Sequence, residues 1–528
     1  MHRHLLFLRV LALTLISGIA FLGYSQNAKL PNGKLNPGSS KYKGMTFDIN
    51  KLPDPAFWNE KGHQHQLPDL FRFADGRLVK NAKDWTARRE EISKIVQYYE
   101  YGIMPPNPDS VTYETISGDG TNNPIIRIAM KVGANTATLD VGARIPSGNG
   151  PFPAIMNCSG SANGPFYDTL MNDAGWARIS YNVNMIASEG NHRGVVEALF
   201  AYGDYATNLD APSVLMAYAW GAGRIMDAIE AGAFGGKIDA KKLGITGFSR
   251  WGKAALVIGA FAKSKQGTQI AITAPGSAGS GGPALERFLS PAGIQDDSIA
   301  SITGLQGKAL YLKKIPDNNA SAQQKQHAVK AVLGMEPFNE AYDETYNGWT
   351  NKGDWGGIQN LAEARNEVPS WFSARFKQFS DLHYGLNLDF ADDQPNRSPH
   401  GFLCTIPFDQ HFLASLVAPR ALFIYDGFRT FRNNVESQYL NYLAVSEVYH
   451  LLGADNSAGI KLYNIPHQMQ DYEAQDIVDF GNAYFSHTAP LPKFKDAPFP
   501  IKDPRSKIDY MRLDWAAPGR TPIADQVK

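Results

Sequence analysis

Gly247-Phe248-Ser249-Arg250-Trp251-Gly252-Lys253 is the stretch on which the reading of this chain turns. A strand-like run, Lys242-Leu243-Gly244-Ile245-Thr246, leads into it. A helix-like apolar run, Ala254-Ala255-Leu256-Val257-Ile258-Gly259-Ala260-Phe261, leads out. A serine on a sharp strand-to-helix turn is a nucleophile elbow. The turn lifts the hydroxyl clear of the sheet, and the first backbone N–H groups of the helix can stabilise an oxyanion. The usual spacing is G-x-S-x-G. Here Trp251 stands at the second glycine position, and the glycine follows one place later at Gly252. Read without its flanks, the motif is equally a tight turn with an exposed serine. The strand before it and the helix after it favour the nucleophile.

Outward from the elbow, strands and helices alternate. A charged helix is expected from Asp84 to Tyr99. Val111–Ile116, Pro124–Val132 and Thr136–Ile145 read as antiparallel strands opening a sheet. Phe152–Asn157 and Trp176–Asn182 are short apolar runs of the kind found in buried strands. Pro212–Ala231 reads as a helix, and Gln269–Ala274, Arg420–Tyr425 and Gly459–Ile465 as further strands. This alternation predicts an α/β fold with a mostly parallel sheet, a three-layer α/β/α sandwich of the α/β-hydrolase kind.

Residues 67–486 are expected to form that domain. A polar segment over 296–358 interrupts it and reads as an insertion above the sheet, either a lid or a solvated elaboration. Residues 1–25 read as a secretory signal: Arg3 and Arg9 precede the apolar stretch Val10–Leu22, which is short for a membrane span. A linker or wrap over 26–66 and a tail over 487–528 flank the domain. The expected location is therefore secreted or periplasmic, with no membrane span once the signal is removed. The two cysteines, Cys158 and Cys404, allow one long-range bridge or two buried thiols. The 51 basic and 51 acidic side chains leave no excess charge to neutralise phosphates, which argues against nucleic acid as a partner. No metal motif or cofactor fingerprint is present, and a monomer is expected.

A serine nucleophile needs a base within reach and a group that orients the base. In α/β-hydrolases the chain order is serine, acid, histidine. His467 follows the last strand and is the expected base; His411, ahead of a strand, is in the wrong place for this order. The acid is harder to find. The loop Pro275-Gly276-Ser277-Ala278-Gly279-Ser280-Gly281-Gly282 has no carboxylate. Asp426, at a strand end, is the candidate acid, although an aspartate there is also a common turn residue. Glu436 is a weaker candidate.

The elbow resembles the G-C-S-R-x-G-K motif of glucuronoyl esterases, carbohydrate esterase family 15. Trp85–Ile92 with Tyr98–Gly102, Met216–Gly221 with Arg224–Ala228, Pro369–Ser373, Ile406–His411 and Val448–Gly453 resemble other segments of that family. The resemblance covers about residues 67 to 486. It implies a serine esterase acting on 4-O-methyl-glucuronate esters of plant cell-wall polysaccharide, such as glucuronoxylan or lignin–carbohydrate esters. It further implies that Ser249 attacks the uronate carbonyl and that Arg250 holds the oxyanion. Lys253, Gln359 and Glu367 would bind sugar hydroxyls. The chain also departs from the family. Phe248 replaces the elbow cysteine, Ser277 falls where the family's P-Q-E-S-G carboxylate belongs, and Thr430-Phe431-Arg432 falls where a D-x-W acid belongs. Two further readings stay open: a non-catalytic homologue that binds uronate-bearing glycans, and an esterase for another acyl sugar.

Overall fold

The structure is a computed structural model. It describes residues 67–160, 168–286, 368–376, 408–427, 433, 435–463, 465, 467, 471–495 and 515–522. The signal, the linker, most of the tail, the 296–358 insertion, Gln359, Glu367, Cys404, residues 430–432 and the Glu436 side chain lie outside these.

Nine strands form one sheet: β1 (Ser110–Ser117), β2 (Ile125–Val132), β3 (Asn135–Arg144), β4 (Phe152–Ser159), β5 (Ala177–Asn182), β6 (Ile238–Phe248), β7 (Ile272–Gly276), β8 (Ala421–Gly427) and β9 (Ala458–Tyr463). Their order is β1-β2-β3-β5-β4-β6-β7-β8-β9. The first three pairings are antiparallel and the remaining five parallel. The helices are α1 (Ala82–Val96), α2 (Asp168–Asp173), α3 (Val195–Phe200), α4 (Val214–Glu230), α5 (Arg250–Phe261), α6 (Gln410–Ser415), α7 (Val435–Leu451) and α8 (Asp471–Phe485).

Strand alternation produces the three layers. Successive side chains point to opposite faces, so a buried parallel strand can feed two cores. Leu422 and Ile424 of β8 join the larger core with α1, α4, α5, α6 and α7. Ala421, Phe423 and Tyr425 of the same strand join a smaller core with Ile477, Val478 and Phe480 of α8. A strand buried on both faces has no polar positions to spare, which is why these runs are continuously apolar. Each fully buried Leu, Ile or Phe contributes roughly 1.5–3 kcal/mol.

Several boundaries differ from expectation by a few residues, β6 among them, which runs Ile238–Phe248. The first helix begins at Ala82, because Asn81 caps it by accepting from the N–H groups of Lys83 and Asp84. It runs into a π-helical turn, Gln97–Tyr101. Strand β7 runs past Pro275 to Gly276 although proline lacks an N–H. The strand is held there from both sides. The Ser249 N–H donates to the Gly276 carbonyl (2.9 Å), and the Ser277 N–H donates to the Tyr425 carbonyl (2.8 Å).

Candidate active site

Strands β6 to β9 are parallel, so their C-terminal ends share one edge of the sheet, where ligands bind in open α/β folds. Ser249, Ser277, Asp426 and His467 all lie at or just beyond those ends. At the elbow, Ser249 has φ 58° and ψ −123°, a backbone conformation that a non-glycine residue keeps only when its surroundings enforce it. Here the enforcement is the bond to Gly276 and the bonds that the N–H groups of Gly252 (2.8 Å) and Lys253 (3.2 Å) donate to the Ser249 carbonyl. The Ser249 side chain does not cap α5. The N–H of Arg250, first residue of α5, has no acceptor within the helix, as at any helix start.

The displaced glycine has a steric reason. A Cβ on Gly247 would stand 2.3 Å from the Trp251 carbonyl oxygen. A Cβ on Gly252 would stand 2.3 Å from the Gly276 carbonyl oxygen and 2.9 Å from the Ala278 Cβ. The close approach of α5 to the end of β7 therefore falls at position 252. Position 251 is left for a tryptophan, whose ring lies over Gly160 and beside Tyr218.

His467 lies against the elbow, its ring centroid 4.6 Å from that of Phe248. The expected contact between His467 and Asp426 is corrected by the structure. Asp426 is fully buried, opposite Leu462 in the β8–β9 register, and its carboxylate is surrounded by donors. Gly427 N–H (2.7 Å) and Asn433 Nδ2 (2.9 Å) donate to Oδ1, and Gln438 Nε2 (2.6 Å) donates to Oδ2. Among the described residues its path to the histidine runs through Asn433, whose Nδ2 is also 3.1 Å from His467 Nδ1. Burial pushes the Asp426 carboxyl from 3.8 up to about 6, against the pull of the surrounding donors.

Lys253 departs from the role expected of it. It is 3% exposed, and its ammonium donates to the carbonyls of Ala278 and Ser280, fixing the loop after β7 beneath the elbow helix. Glu286 closes the same loop, accepting from Ser280 Oγ (2.7 Å) and the Gly281 N–H (2.6 Å). Burial and neighbouring Asp409 push Glu286 from 4.5 up to about 8. Both Asp426 and Glu286 therefore bind a proton more tightly in the folded state than in the unfolded one. Between the unfolded and folded values the native protein holds more protons, so these groups make stability fall as pH rises, from about 4 to 6 for Asp426 and about 4.5 to 8 for Glu286. Glu286→Gln is expected to flatten the decline between pH 5 and 8, seen in unfolding midpoints across that range.

Arg250 directs its guanidinium to Glu189 (3.2 Å) rather than leaving it unengaged beside the serine. Glu189 also accepts from the Trp371 indole (2.8 Å), with Trp371 itself 1% exposed. Trp371 is thus a core anchor, with Arg250 and Lys253 alongside its ring. His411, the rival histidine, is buried with its Nε2 at 2.7 Å from the Pro68 carbonyl. Cys158 is a free buried thiol whose pKa burial raises, and Cys404, its expected possible partner, lies outside the described residues. Asn433, Glu189 and Glu286 were not among the expected site residues. Nothing in their local sequence marks them, because Asn433 and Glu189 are selected by contacts between distant segments and Glu286 by the way its own loop folds back on Ser280 and Gly281.

A serine at a left-handed elbow on the parallel sheet, with a histidine from the loop after the last strand, fits the architecture of an α/β-hydrolase. The profile of the family described as glucuronyl esterase, fungi, matches residues 128–330 and 396–453. A 4-O-methyl-glucuronoyl methylesterase 1 from Wolfiporia cocos is 32% identical over 306 residues, covering 56% of this chain and 69% of that protein. The chain belongs to the glucuronoyl esterase family. A 4-O-methyl-glucuronoyl methylesterase from Podospora anserina is 38% identical over 43% of this chain and 44% of its own length. One from Thermothelomyces thermophilus is matched over 57% of its length, so the chain spans about half of these two relatives. The solved glucuronoyl esterase of Caldicellulosiruptor kristjansonii is 27% identical with a TM-score of 0.60, covering 84% of this chain and 97% of that one. A serine-to-alanine mutant of the Sporotrichum thermophile enzyme, solved with methyl 4-O-methyl-beta-D-glucopyranuronate, is 25% identical with a TM-score of 0.56 over 82% and 91% of the two chains.

Proposed function

We propose that this chain is a secreted serine-type carboxylic ester hydrolase acting on 4-O-methyl-glucuronate esters of glucuronoxylan or of lignin–carbohydrate linkages. The observation that carries the reading is the strained Ser249 elbow beside His467, in a chain of this family. The uronate ester found in the Sporotrichum thermophile complex supports the substrate class. Ser249 Oγ attacks the C6 carbonyl of the uronate while His467 Nε2 takes the hydroxyl proton. The developing oxyanion is met by the Arg250 N–H at the start of α5. His467 returns the proton to the departing alcohol, and water then cleaves the glucuronoyl–serine ester by the reverse path. Lys253 is occupied by loop carbonyls, so it supports the site from below. Binding of sugar hydroxyls remains proposed for Gln359 and Glu367. The N-terminal signal supports export, and a monomer remains the expected state.

One observation favours the binding homologue instead: the group seen at His467 Nδ1 among the described residues is the Asn433 amide. Purified protein should hydrolyse benzyl glucuronate in preference to 4-nitrophenyl acetate. Preference for the acetate would point to an esterase of another class. Folded protein that binds glucuronoxylan without turning over either ester would establish the binding homologue.

A further inference from the structure

We infer that Asn433 stands in the place of the triad's acid, as a positioning residue whose amide, anchored on Asp426, sets the orientation and tautomer of His467. The inference rests on His467 being the base of the proposed esterase. Asn433 is 4% exposed and fixed from two directions. Its backbone carbonyl accepts from Gln438 Nε2 (2.8 Å), and its Nδ2 lies 2.9 Å from Asp426 Oδ1 and 3.1 Å from His467 Nδ1. One amide nitrogen carries two protons, so it can serve both neighbours at once.

This arrangement has a chemical consequence. With Nδ2 donating to it, His467 Nδ1 is an acceptor, and a neutral ring then carries its proton on Nε2. A base for serine needs the opposite tautomer, with Nδ1 protonated and Nε2 open. The amide supplies that tautomer when a half-turn presents Oδ1 to Nδ1–H. Ionised Asp426 opposes the turn, because its Oδ1 would then face Asn433 Oδ1 with no proton between them. Asp426 therefore holds the amide, and through it the histidine, in the resting tautomer. The wild-type chain is accordingly a slow enzyme with an intact nucleophile, and the charge absent from both family acid positions has become a second-row anchor.

Asn433→Asp and Asn433→Ala test this. In Asn433→Asp the two carboxylates share one proton, as closely paired acids do, and the pair keeps one charge facing Nδ1–H. Since the wrong tautomer costs about 10⁴-fold in a serine triad, the aspartate variant should gain about tenfold or more in kcat on benzyl glucuronate. The acid limb of its pH profile should also move upward. Asn433→Ala frees the ring from the resting tautomer but gives Nδ1–H no acceptor, so its kcat should stay within about threefold of wild type and below that of Asn433→Asp, with KM little changed. Independently of turnover, ¹⁵N spectra of histidine-labelled protein, assigned with His467→Ala, should show Nε2 protonated in the wild type and Nδ1 protonated in Asn433→Asp. A His467 pattern identical in wild type and both variants would overturn the inference. So would an aspartate variant that is folded by its thermal transition yet slower than the alanine one. If no form hydrolyses the ester while the ¹⁵N patterns follow expectation, the esterase reading fails and the positioning contact stands.

Discussion

Ser249→Ala is expected to bring turnover of benzyl glucuronate down by about 10²-fold or more in kcat, with a thermal transition close to that of the wild type. Two features separate the chemical from the structural effect. The conformation at position 249 is enforced by backbone bonds, from its N–H to Gly276 and from Gly252 and Lys253 to its carbonyl. None of these is lost with the hydroxyl, and alanine meets the positive φ at a cost similar to that of serine. The side chain also provides no helix cap, so its removal orphans no N–H of α5. What disappears is the nucleophile. The oxyanion donor and the binding surface remain, and in serine triads these leave a residual rate above that in water. Steady-state kinetics beside circular-dichroism melting checks both halves of the expectation.

Gly252→Ala is the counterpart, with a large effect on stability. The added Cβ would stand 2.3 Å from a backbone oxygen of β7 and 2.9 Å from the Ala278 Cβ. Neither obstacle is the end of a flexible side chain, so relief requires α5 to withdraw from β7. Overpacking of a core usually costs about 1–3 kcal/mol, and a backbone obstacle places this variant at or above the upper figure. Withdrawal of α5 would also loosen the contact between its first turn and the loop that Lys253 and Glu286 hold. A clear drop in the unfolding midpoint is expected, with lost activity even well below that midpoint. An unchanged midpoint would show that the helix sits farther from the strand.

The elbow and the strand order along the chain were legible because each is written locally. Leu243 and Ile245 of Lys242–Thr246 alternate into the larger core, and Ser249 stands directly after the strand end, two residues beyond Gly247. The α/β-hydrolase fold follows from that rhythm and is confirmed by the two cores that flank the sheet. The acid was not legible in the same way. Asp426 satisfied the positional rule, yet the fold turns its carboxylate towards Gly427, Asn433 and Gln438. Residue type at a strand end does not disclose which neighbours the side chain meets. Lys253 is a second case. Helical spacing from Ser249 places it one turn on, but spacing cannot show that the loop after β7 folds over it and accepts hydrogen bonds from its ammonium at two carbonyls. Asn433 had no local signal at all, since an amide six residues past the end of β8 becomes a site residue only through the loop that brings His467 to it.

The account stands most directly on whether Ser249 is an activated nucleophile, which a fluorophosphonate label reads without any assumption about the sugar. The serine oxygen bonds to phosphorus and fluoride leaves, so peptide mass spectrometry locates the adduct. The adduct is predicted on Ser249, slowed by His467→Ala and absent in Ser249→Ala. Folded protein that takes no label at Ser249, or takes it at another residue while hydrolysing the ester, would contradict the account.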